Sequence, residues 1–203
     1  MKKIALIAFL LTVCVAAGRA QESRQDISLS GTVLVEPFIA SSTNVQVHSN
    51  RAFGALVSYR YMLPPNSAVE ANYGITYQNK INYQYNGRYH AQVLTRTQEM
   101  SAEYVRSFTF RKYNPFVEAG PGVLIFQPIR NMGTTTLDVK KQMQMTAFYG
   151  AGIAREISPS FDIRAEFRGA ITKVPTFNEP NSLFTTNKWY NIYMPVIGVA
   201  YHF

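Results

Sequence analysis

Hydrophobic and polar residues alternate along the C-terminal stretch Trp189 to Phe203. The alternation places Phe203, Tyr201, Val199 and Ile197 on one face and His202, Ala200, Gly198 and Val196 on the other. A strand of a soluble sandwich also alternates, but its second face carries Lys, Glu, Thr or Ser for contact with water. A second face of Gly, Ala and His favours a narrow interior that side chains fill.

The same alternation recurs in seven further segments. They are Ile27–Ile39, Arg51–Leu63, Ser67–Ile81, Val93–Phe108, Pro115–Phe126, Lys141–Ile157 and Phe161–Val174. Each is long enough for the roughly 9–11 residues of a tilted transmembrane strand.

The connections between these segments alternate between short and long. Short turns are expected near residues 64–66, 110–114 and 158–160, where Pro and Asn supply turn geometry. The longer polar stretches are Ala40–Asn50, Asn82–Gln92, Gln127–Lys140 and Pro175–Lys188. This pattern predicts an all-β fold, an eight-stranded antiparallel up-and-down barrel with both termini on the short-turn side.

The end of the chain carries a family resemblance. Tyr201-His202-Phe203 is an aromatic-x-Phe ending, which resembles the closing strand of bacterial outer-membrane β-barrels. The whole pattern is similar to small eight-stranded outer-membrane proteins, namely the OmpA-type barrel, OmpX, opacity and "porin family" proteins. The resemblance implies a bacterial outer-membrane location, and it makes Tyr201 and Phe203 the signal that the barrel-assembly machinery reads.

Residues 1–20 have the pattern of a cleavable signal peptide. Lys2 and Lys3 precede an apolar run, and Gly18-Arg19-Ala20 puts small residues at the cleavage position. We expect export through the general secretory route, cleavage after Ala20 and a barrel domain over 21–203. The only cysteine, Cys14, lies in this segment, so thiol catalysis and Cys-based zinc sites are excluded from the mature chain.

The mature chain stays basic. Loss of Lys2, Lys3 and Arg19 lowers the net charge from +8 to +5. Nothing after the signal peptide approaches the ~18 apolar residues of a transmembrane helix. Nucleic acid is not an expected partner, because the compartment is wrong and no recognition motif is present.

Charged residues alternate with apolar ones inside the predicted strands. Asp162, Arg164, Glu166 and Arg168 share one face of the seventh segment. A basic side chain on the lipid face costs about 2–4 kcal/mol at mid-bilayer, so this face must be the lumen. The same parity places further charged residues inside: Arg60, Glu70, Glu99, Glu103, Glu118 and Glu156.

Turn positions then suggest partners. With a turn near Pro65, Arg60 lies opposite Glu70. With a turn near Pro159, the large lumenal residues of the seventh segment lie opposite small ones; the pairs are Arg164 with Ala154, Glu166 with Gly152 and Arg168 with Gly150.

We predict a lumenal charge network of Arg60, Glu70, Glu103, Glu118, Arg164, Glu166 and Arg168. Eight strands enclose an interior that side chains can just fill, so the network is expected to close the lumen. The lumenal acids outnumber the bases, which leaves a narrow cation-selective leak as the alternative.

Two girdles of aromatic side chains are expected at the lipid–water boundaries. Toward the short turns lie Tyr59, Tyr61, Phe108, Phe110, Tyr113, Phe161, Tyr201 and Phe203; toward the long loops lie Phe38, Tyr77, Phe126, Trp189 and Tyr190.

Two prolines depart from the strand pattern. Pro121 and Pro195 fall where a strand should donate a ladder hydrogen bond, so each predicts a bulge or local fraying.

Candidate catalytic residues are few. The three histidines are His48 and His90 in predicted outer loops and His202 at the inner mouth, and none lies beside an acid at metal or triad spacing. We therefore predict no catalytic site, no metal and no cofactor. Small barrels that deacylate or transacylate lipid A use His with Ser and a carboxylate near the outer rim, so His48-Ser49 keeps a lipid A acylhydrolase or acyltransferase open as an alternative.

Basic residues gather in or near the long loops. We define a basic collar by Arg51, Arg88, Arg130, Lys140, Lys141 and Lys188. Such a collar can neutralise phosphates of lipopolysaccharide; ordinary loop solubility is the alternative. The sequence therefore predicts a non-enzymatic, monomeric envelope-structural or surface-interaction barrel in outer-membrane lipid. A small low-conductance porin-like channel and a lipid A-modifying enzyme are the alternatives.

Overall fold

The structure is a computed structural model that describes residues 24–40, 45–85, 89–108, 110, 112–133, 140–177 and 188–203. The predicted signal peptide, with Cys14, lies outside the described residues. In the described part the strands are β1 (Gln25–Leu34), β2 (Ile39–Ala40), β3 (Val45–Ser49), β4 (Ala52–Leu63), β5 (Ser67–Tyr85), β6 (Tyr89–Ser107), β7 (Tyr113–Gly133), β8 (Gln142–Ser158), β9 (Phe161–Lys173) and β10 (Trp189–His202). No helix among these residues is long and apolar enough to cross a membrane.

Eight strands close into a barrel. Running round the wall, β1 is followed by β4, β5, β6, β7, β8, β9 and β10, and every neighbouring pair is antiparallel. Closure is visible at Leu29 of β1, which pairs with Val57 of β4 on one side and Val199 of β10 on the other. The two short strands β2 and β3 add to β5 beyond the barrel wall. The predicted eight-stranded fold is confirmed.

The outward face of the wall is hydrophobic. Leu29, Phe53 and Ile197 are 65%, 73% and 65% exposed. The predicted inner girdle is also exposed at Tyr59, Tyr61, Phe108, Phe110, Tyr113, Phe161 and Phe203. A soluble monomer rarely exposes a continuous apolar belt of this kind, so the surface suits hydrocarbon.

The central hairpins are longer than the hydrophobic pattern predicts. β5 and β6 continue to Tyr85 and Tyr89, so the predicted loop Asn82–Gln92 is mostly strand, and β7 continues to Gly133. Backbone pairing supports these extensions without an apolar face, and Gln92 Nε2 donates to Asn82 Oδ1 at 2.7 Å across them. The first predicted strand is shorter than expected, because β1 ends at Leu34.

A β-bulge in the outer half of β5 interrupts its pairing with β6. The register with β6 shifts between Thr76 and Asn79, and Gln78 has a positive φ of 60°. Asn79 fixes the bulge from three directions: its Nδ2 donates to Glu36 at 2.8 Å, its Oδ1 accepts from Ser49 at 2.5 Å, and its carbonyl accepts from Thr95 at 3.1 Å.

The two strand prolines interrupt the ladder without shifting it. Between β6 and β7 the pairs stop at Ser101–Gly122 and resume at Tyr104–Ala119, so Pro121 has no partner on β6 among these described residues. Local fraying is therefore confirmed at Pro121, and the unchanged register means there is no bulge there. The second proline, Pro195, behaves in the same way on its β1 side.

The outer part of the interior holds an apolar core together with buried polar side chains such as Thr95, Thr172 and the Glu36–Asn79 pair. Its core consists of Leu34, Val47, Ala52, Ile81, Val93, Leu124, Phe126, Phe148, Ala170, Val174, Phe177, Tyr190, Ile192 and Met194. Phe126 and Tyr190 therefore do not belong to the lipid-facing girdle predicted for them, since their side chains are 0% and 7% exposed. Their even-numbered positions share the lumenal parity of Glu118 and Arg168, which overrides their location near the strand ends.

A segment after β9 folds back into this core. Phe177 is buried, and the backbone N–H groups of Thr176 and Phe177 donate to Gln142 Oε1 at 2.8 and 2.7 Å. The Phe177 carbonyl accepts from the Lys140 N–H at 3.0 Å. The start of the stretch predicted as a longer polar connection, Pro175–Lys188, therefore packs against the apolar core.

Burial of Phe126 gives a test of this apolar core. Phe126→Ala should lower the free energy of unfolding by about 3–5 kcal/mol, because it empties a filled interior site. Phe53→Ala, at a lipid-facing position, is the matched control and should cost much less. Urea unfolding in detergent micelles measures both; equal losses would contradict the interior position of Phe126.

Candidate functional site

The inner part of the lumen holds most of the chain's buried charge. Six of the seven predicted network residues are buried: Arg60, Glu70, Glu103, Glu118, Arg164 and Arg168. Glu166, the seventh, is half-buried. Glu156 was expected inside by parity but is exposed; it lies beside the β8–β9 turn, next to a register shift between Glu156 and Ser158.

Arg168 is the centre of an upper cluster. Its Nη1 lies 2.7 Å from Glu99 Oε1, its Nη2 donates to Glu103 Oε1, and its Nε lies 3.3 Å from Glu118 Oε1. The guanidinium carbon also lies 5.5 Å from the centre of the Phe148 ring. A rigid guanidinium fork suits several acids at once better than an ammonium group does.

A lower cluster is built on Arg60 and Arg164. Arg60 Nε donates to Glu70 Oε2, and Arg164 Nη2 lies 2.5 Å from Asp26 Oδ2. Arg164 Nη1 is also 3.8 Å from Glu70. Arg60 Nη2 is 4.0 Å from Glu118, so Glu118 lies between the two clusters and contacts both.

Small residues make room for these side chains. The register pairs Arg164 with Ala154, Glu166 with Gly152 and Arg168 with Gly150, as the turn positions predict. A Cβ at Gly150 would lie 2.6 Å from Glu118 Oε1. The glycine leaves room for the carboxylate that approaches it, and a phosphate-binding loop is not needed to explain it.

The network has more acid than base. Asp26, Glu70, Glu99, Glu103 and Glu118 are buried with only three arginines. Several buried carboxylate oxygens accept no hydrogen bond within the described residues: Asp26 Oδ1, Glu103 Oε2 and both oxygens of Glu118. The contact of Glu118 with Arg168 has the distance of an ion pair without the angle of a hydrogen bond. Buried carboxylate oxygens of this kind are expected either to carry a proton or to accept a hydrogen bond from water.

His202 was placed correctly at the inner mouth, but its surroundings were not foreseen. Its Nε2 lies 3.0 Å from Asp162 Oδ2 and its Nδ1 lies 3.9 Å from Asp26 Oδ2. No acid lies beside His202 at metal or triad spacing along the sequence, but the fold brings these two acids close to it. The two acids come from β9 and β1, which flank β10, so spacing along the chain did not reveal them. Asp26 and Glu99 are the buried network members absent from the predicted set; lumenal parity had already placed Glu99 inside.

A cavity of about 450 Å³ opens at this mouth. Its lining includes Arg24, Arg60, Asp162, Arg164 and His202. Over the described residues, no group of three or more His, Asp or Glu side chains is placed to hold a metal ion.

The His48-Ser49 pair does not form a relay in this structure. His48 is exposed and its ring lies 4.4 Å from that of Phe38. Ser49 Oγ donates to Asn79 Oδ1, on the other face of β3. Adjacent residues of a strand point to opposite faces, which separates the two groups. The His90 side chain lies outside the described part.

The basic collar is only partly described. Arg51, Lys140 and Lys141 are exposed, and Lys188 is half-buried. Arg88 and the side chain of Arg130 lie outside the described residues.

The predicted assembly signal lies at the seam of the barrel. The Tyr201 ring is 5.1 Å from that of Phe161 and 6.1 Å from that of Phe203. The Phe203 N–H donates to the Gln25 carbonyl at 3.0 Å, which joins the last residue to the first strand.

Comparison with known proteins agrees with this architecture. Residues 5–203 match a family model described as "Outer membrane protein beta-barrel domain". No curated protein matches the sequence significantly. The fold is similar to that of Neisserial surface protein A, with a TM-score of 0.61 and 14% identity over 89% of this chain and 98% of that one. It is also similar to outer membrane protein OprG from Pseudomonas aeruginosa, with a TM-score of 0.60 and 11% identity over 91% and 98%.

Removal of Arg168 tests the upper cluster. Arg168→Ala should lower the free energy of unfolding by about 3–5 kcal/mol, because it leaves buried carboxylates without their cation. Arg155→Ala, an exposed arginine beside the Tyr113 ring, should cost less than about 1 kcal/mol. Urea unfolding in micelles measures both. In a double-mutant cycle, the loss of stability in Arg168→Met/Glu103→Gln should be smaller than the sum of the losses in Arg168→Met and Glu103→Gln. A double variant whose loss equals that sum would contradict the contact.

Proposed function

The chain belongs to the outer membrane protein β-barrel domain family, and on that premise we propose that it is a non-enzymatic integral protein of the bacterial outer membrane with a closed lumen. Its role is structural in the envelope, or it presents a surface for interaction. The observation that carries this proposal is the filled interior: a charge network occupies the inner part and an apolar core the outer part.

The two layers meet at one arginine. Arg168 ion-pairs with the acids of the network, while its guanidinium faces the ring of Phe148, a member of the apolar core. In the lower cluster, the Arg60 guanidinium faces an aromatic ring in the same way, with its carbon 4.7 Å from the centre of the Phe116 ring. A permeating ion would have to break these contacts and then pass the apolar core, which supports a lumen that conducts little.

The extracellular side is assigned by the connections. The inner turns join β4 to β5 and β8 to β9 through a few residues, whereas β5 and β6 form a long hairpin at the opposite end. With both termini on the short-turn side, the long hairpins face the cell exterior. This orientation supports a surface-interaction role for them.

A small low-conductance channel is the second candidate. The observation in its favour is the excess of lumenal acid, with both Glu118 oxygens lacking a hydrogen bond, together with the cavity at the inner mouth. Water that reached these carboxylates would open a narrow cation path through the inner layer. A lipid A-modifying enzyme is less well supported, since His48 and Ser49 are on opposite faces of β3.

Planar-bilayer recording decides between a closed lumen and a channel. The unaltered barrel should give no steady ohmic conductance, and Arg168→Ala should introduce a leak. Steady channels whose cation selectivity falls in Glu103→Gln or Glu166→Gln would contradict the closed lumen. Heat-modifiable gel mobility of each variant verifies that the recorded protein is folded.

Deletion of Phe203 tests the proposed assembly signal. The deletion should reduce the folded, heat-modifiable fraction in the outer membrane. Trp189→Ala is the matched control because Trp189 is an exposed aromatic at the other end of the same strand. If both variants assemble equally well, Phe203 is only an interfacial anchor.

A further inference from the structure

The cavity of about 450 Å³ at the inner mouth has more base than acid in its lining, the reverse of the charge network beside it. Three arginines, Arg24, Arg60 and Arg164, line the cavity, and among the described residues Asp162 is the only acid that does so. The volume lies within the roughly 300–1,000 Å³ that small-molecule sites in proteins occupy. The closed lumen proposed above does not depend on this cavity.

The protein satisfies the two buried arginines of the lining incompletely. Arg60 Nε donates to Glu70, and Arg164 Nη2 lies 2.5 Å from Asp26 Oδ2; neither acid belongs to the lining. Within the described residues, Arg60 Nη2 and Arg164 Nε donate no hydrogen bond. Buried N–H groups of this kind are expected to meet an acceptor, which can come from water or from a ligand. The two guanidinium groups therefore have capacity left for an anion.

The acid of the lining is engaged by a histidine. Asp162 Oδ2 lies 3.0 Å from His202 Nε2, and His202 also lines the cavity. With His202 neutral, three arginines against one aspartate give the lining a formal charge of +2. Asp26 and Glu70, which contact the arginines from outside the lining, offset part of that charge. The cavity therefore suits a ligand with one negative charge better than a ligand with two.

Another part of the lining is apolar. Met62, Phe116 and Ala154 line the cavity and belong to one small cluster of packed hydrophobic side chains. The apolar part adjoins the cationic part, because the guanidinium carbon of Arg60 lies 4.7 Å from the centre of the Phe116 ring. An apolar surface with a few convergent polar groups is typical of a site that orients a small organic ligand.

The rim of the cavity is held by hydrogen bonds. Arg106 Nη1 donates to the Pro65 carbonyl and to Ser67 Oγ, both at 2.9 Å. The Ser107 N–H donates to the Asn66 carbonyl at 2.9 Å. These bonds fix the turn between β4 and β5 to the end of β6. A site that is ordered in advance loses less conformational entropy when a ligand binds.

We propose that this cavity binds a small organic anion that carries one carboxylate on an apolar body. A planar guanidinium can donate two parallel hydrogen bonds to a carboxylate, which matches the arginines of the lining to this anion. The source of the ligand rests on the orientation proposed above, in which the cavity opens to the periplasm and the ligand is a periplasmic solute. The binding chemistry does not depend on that orientation.

Fluorine NMR of para-fluorobenzoate added to the folded barrel in micelles tests the site, with empty micelles as the blank. Binding should be saturable. Arg24→Gln should weaken it about tenfold, because the variant loses one charge-assisted contact. Arg24 is exposed, so the barrel should still fold. Arg155→Gln is the matched control and should bind as the unaltered barrel does, since Arg155 is an exposed arginine beside the β8–β9 turn and outside the lining.

Asn66→Asp tests the charge of the lining by a second route. Asn66 is exposed and has a φ of 58°, a conformation that aspartate also adopts. The added negative charge should weaken binding of para-fluorobenzoate severalfold, while the hydrogen bond to the Asn66 carbonyl is kept. Heat-modifiable gel mobility identifies the folded material in each variant.

Three outcomes overturn the proposal: equal affinity in Arg24→Gln and Arg155→Gln, equal binding of the neutral analogue para-fluorobenzamide, or tighter binding of phenyl phosphate at a pH where it carries two charges. Failure of the proposed function is recorded separately. It would appear as a barrel that is absent from the outer-membrane fraction or that conducts steadily, whether or not the carboxylate binds.

Discussion

Pairing of the backbone within the wall is the constraint on which the rest of this structure depends. In hydrocarbon an unpaired N–H or C=O group costs several kcal/mol, so a sheet that enters the membrane must close. The pairing of β1 with both β4 and β10 meets this requirement. Closure then fixes which side of every strand faces lipid, and it brings the eight buried charged residues of the network from six strands into one confined interior.

Buried charge is the second consequence of closure. Burying two charged groups carries a large desolvation free energy, which only their mutual attraction and hydrogen bonds can offset. Such a network therefore stabilises the barrel only while every charge keeps its partner. The three lumenal arginines each contact at least two acids. The apolar core above them limits the access of water from the exterior. The two layers depend on each other, because an apolar upper layer strengthens the ion pairs beneath it.

The alternation of side chains and the turn positions were enough to predict the strand count, the closure, the lumenal parity and the residues opposite Arg60, Arg164 and Arg168 in the register, but not the contacts of Arg164 with Asp26 and of Arg168 with Glu99. It did not predict the outer ends of β5, β6 and β7, because strands beyond the membrane pair without an apolar face. Phe126 and Tyr190 were assigned to lipid by their location, although their parity pointed inward. The contacts of His202 with Asp26 and Asp162 join three strands and follow from three-dimensional closure, which no local pattern contains.

Glu118 has a consequence for how this lumen changes over evolutionary time. Its carboxylate lies between the Arg168 cluster and the Arg60 cluster, so neither cluster is an independent unit. A lineage that loses one of the three arginines inherits an acid excess that the remaining two must balance. Neutral drift at these positions is therefore expected to proceed by compensated steps, in which an acid and a base disappear together. A side chain at Gly150 would in turn require the Glu118 carboxylate to move, because a Cβ there lies 2.6 Å from Glu118 Oε1.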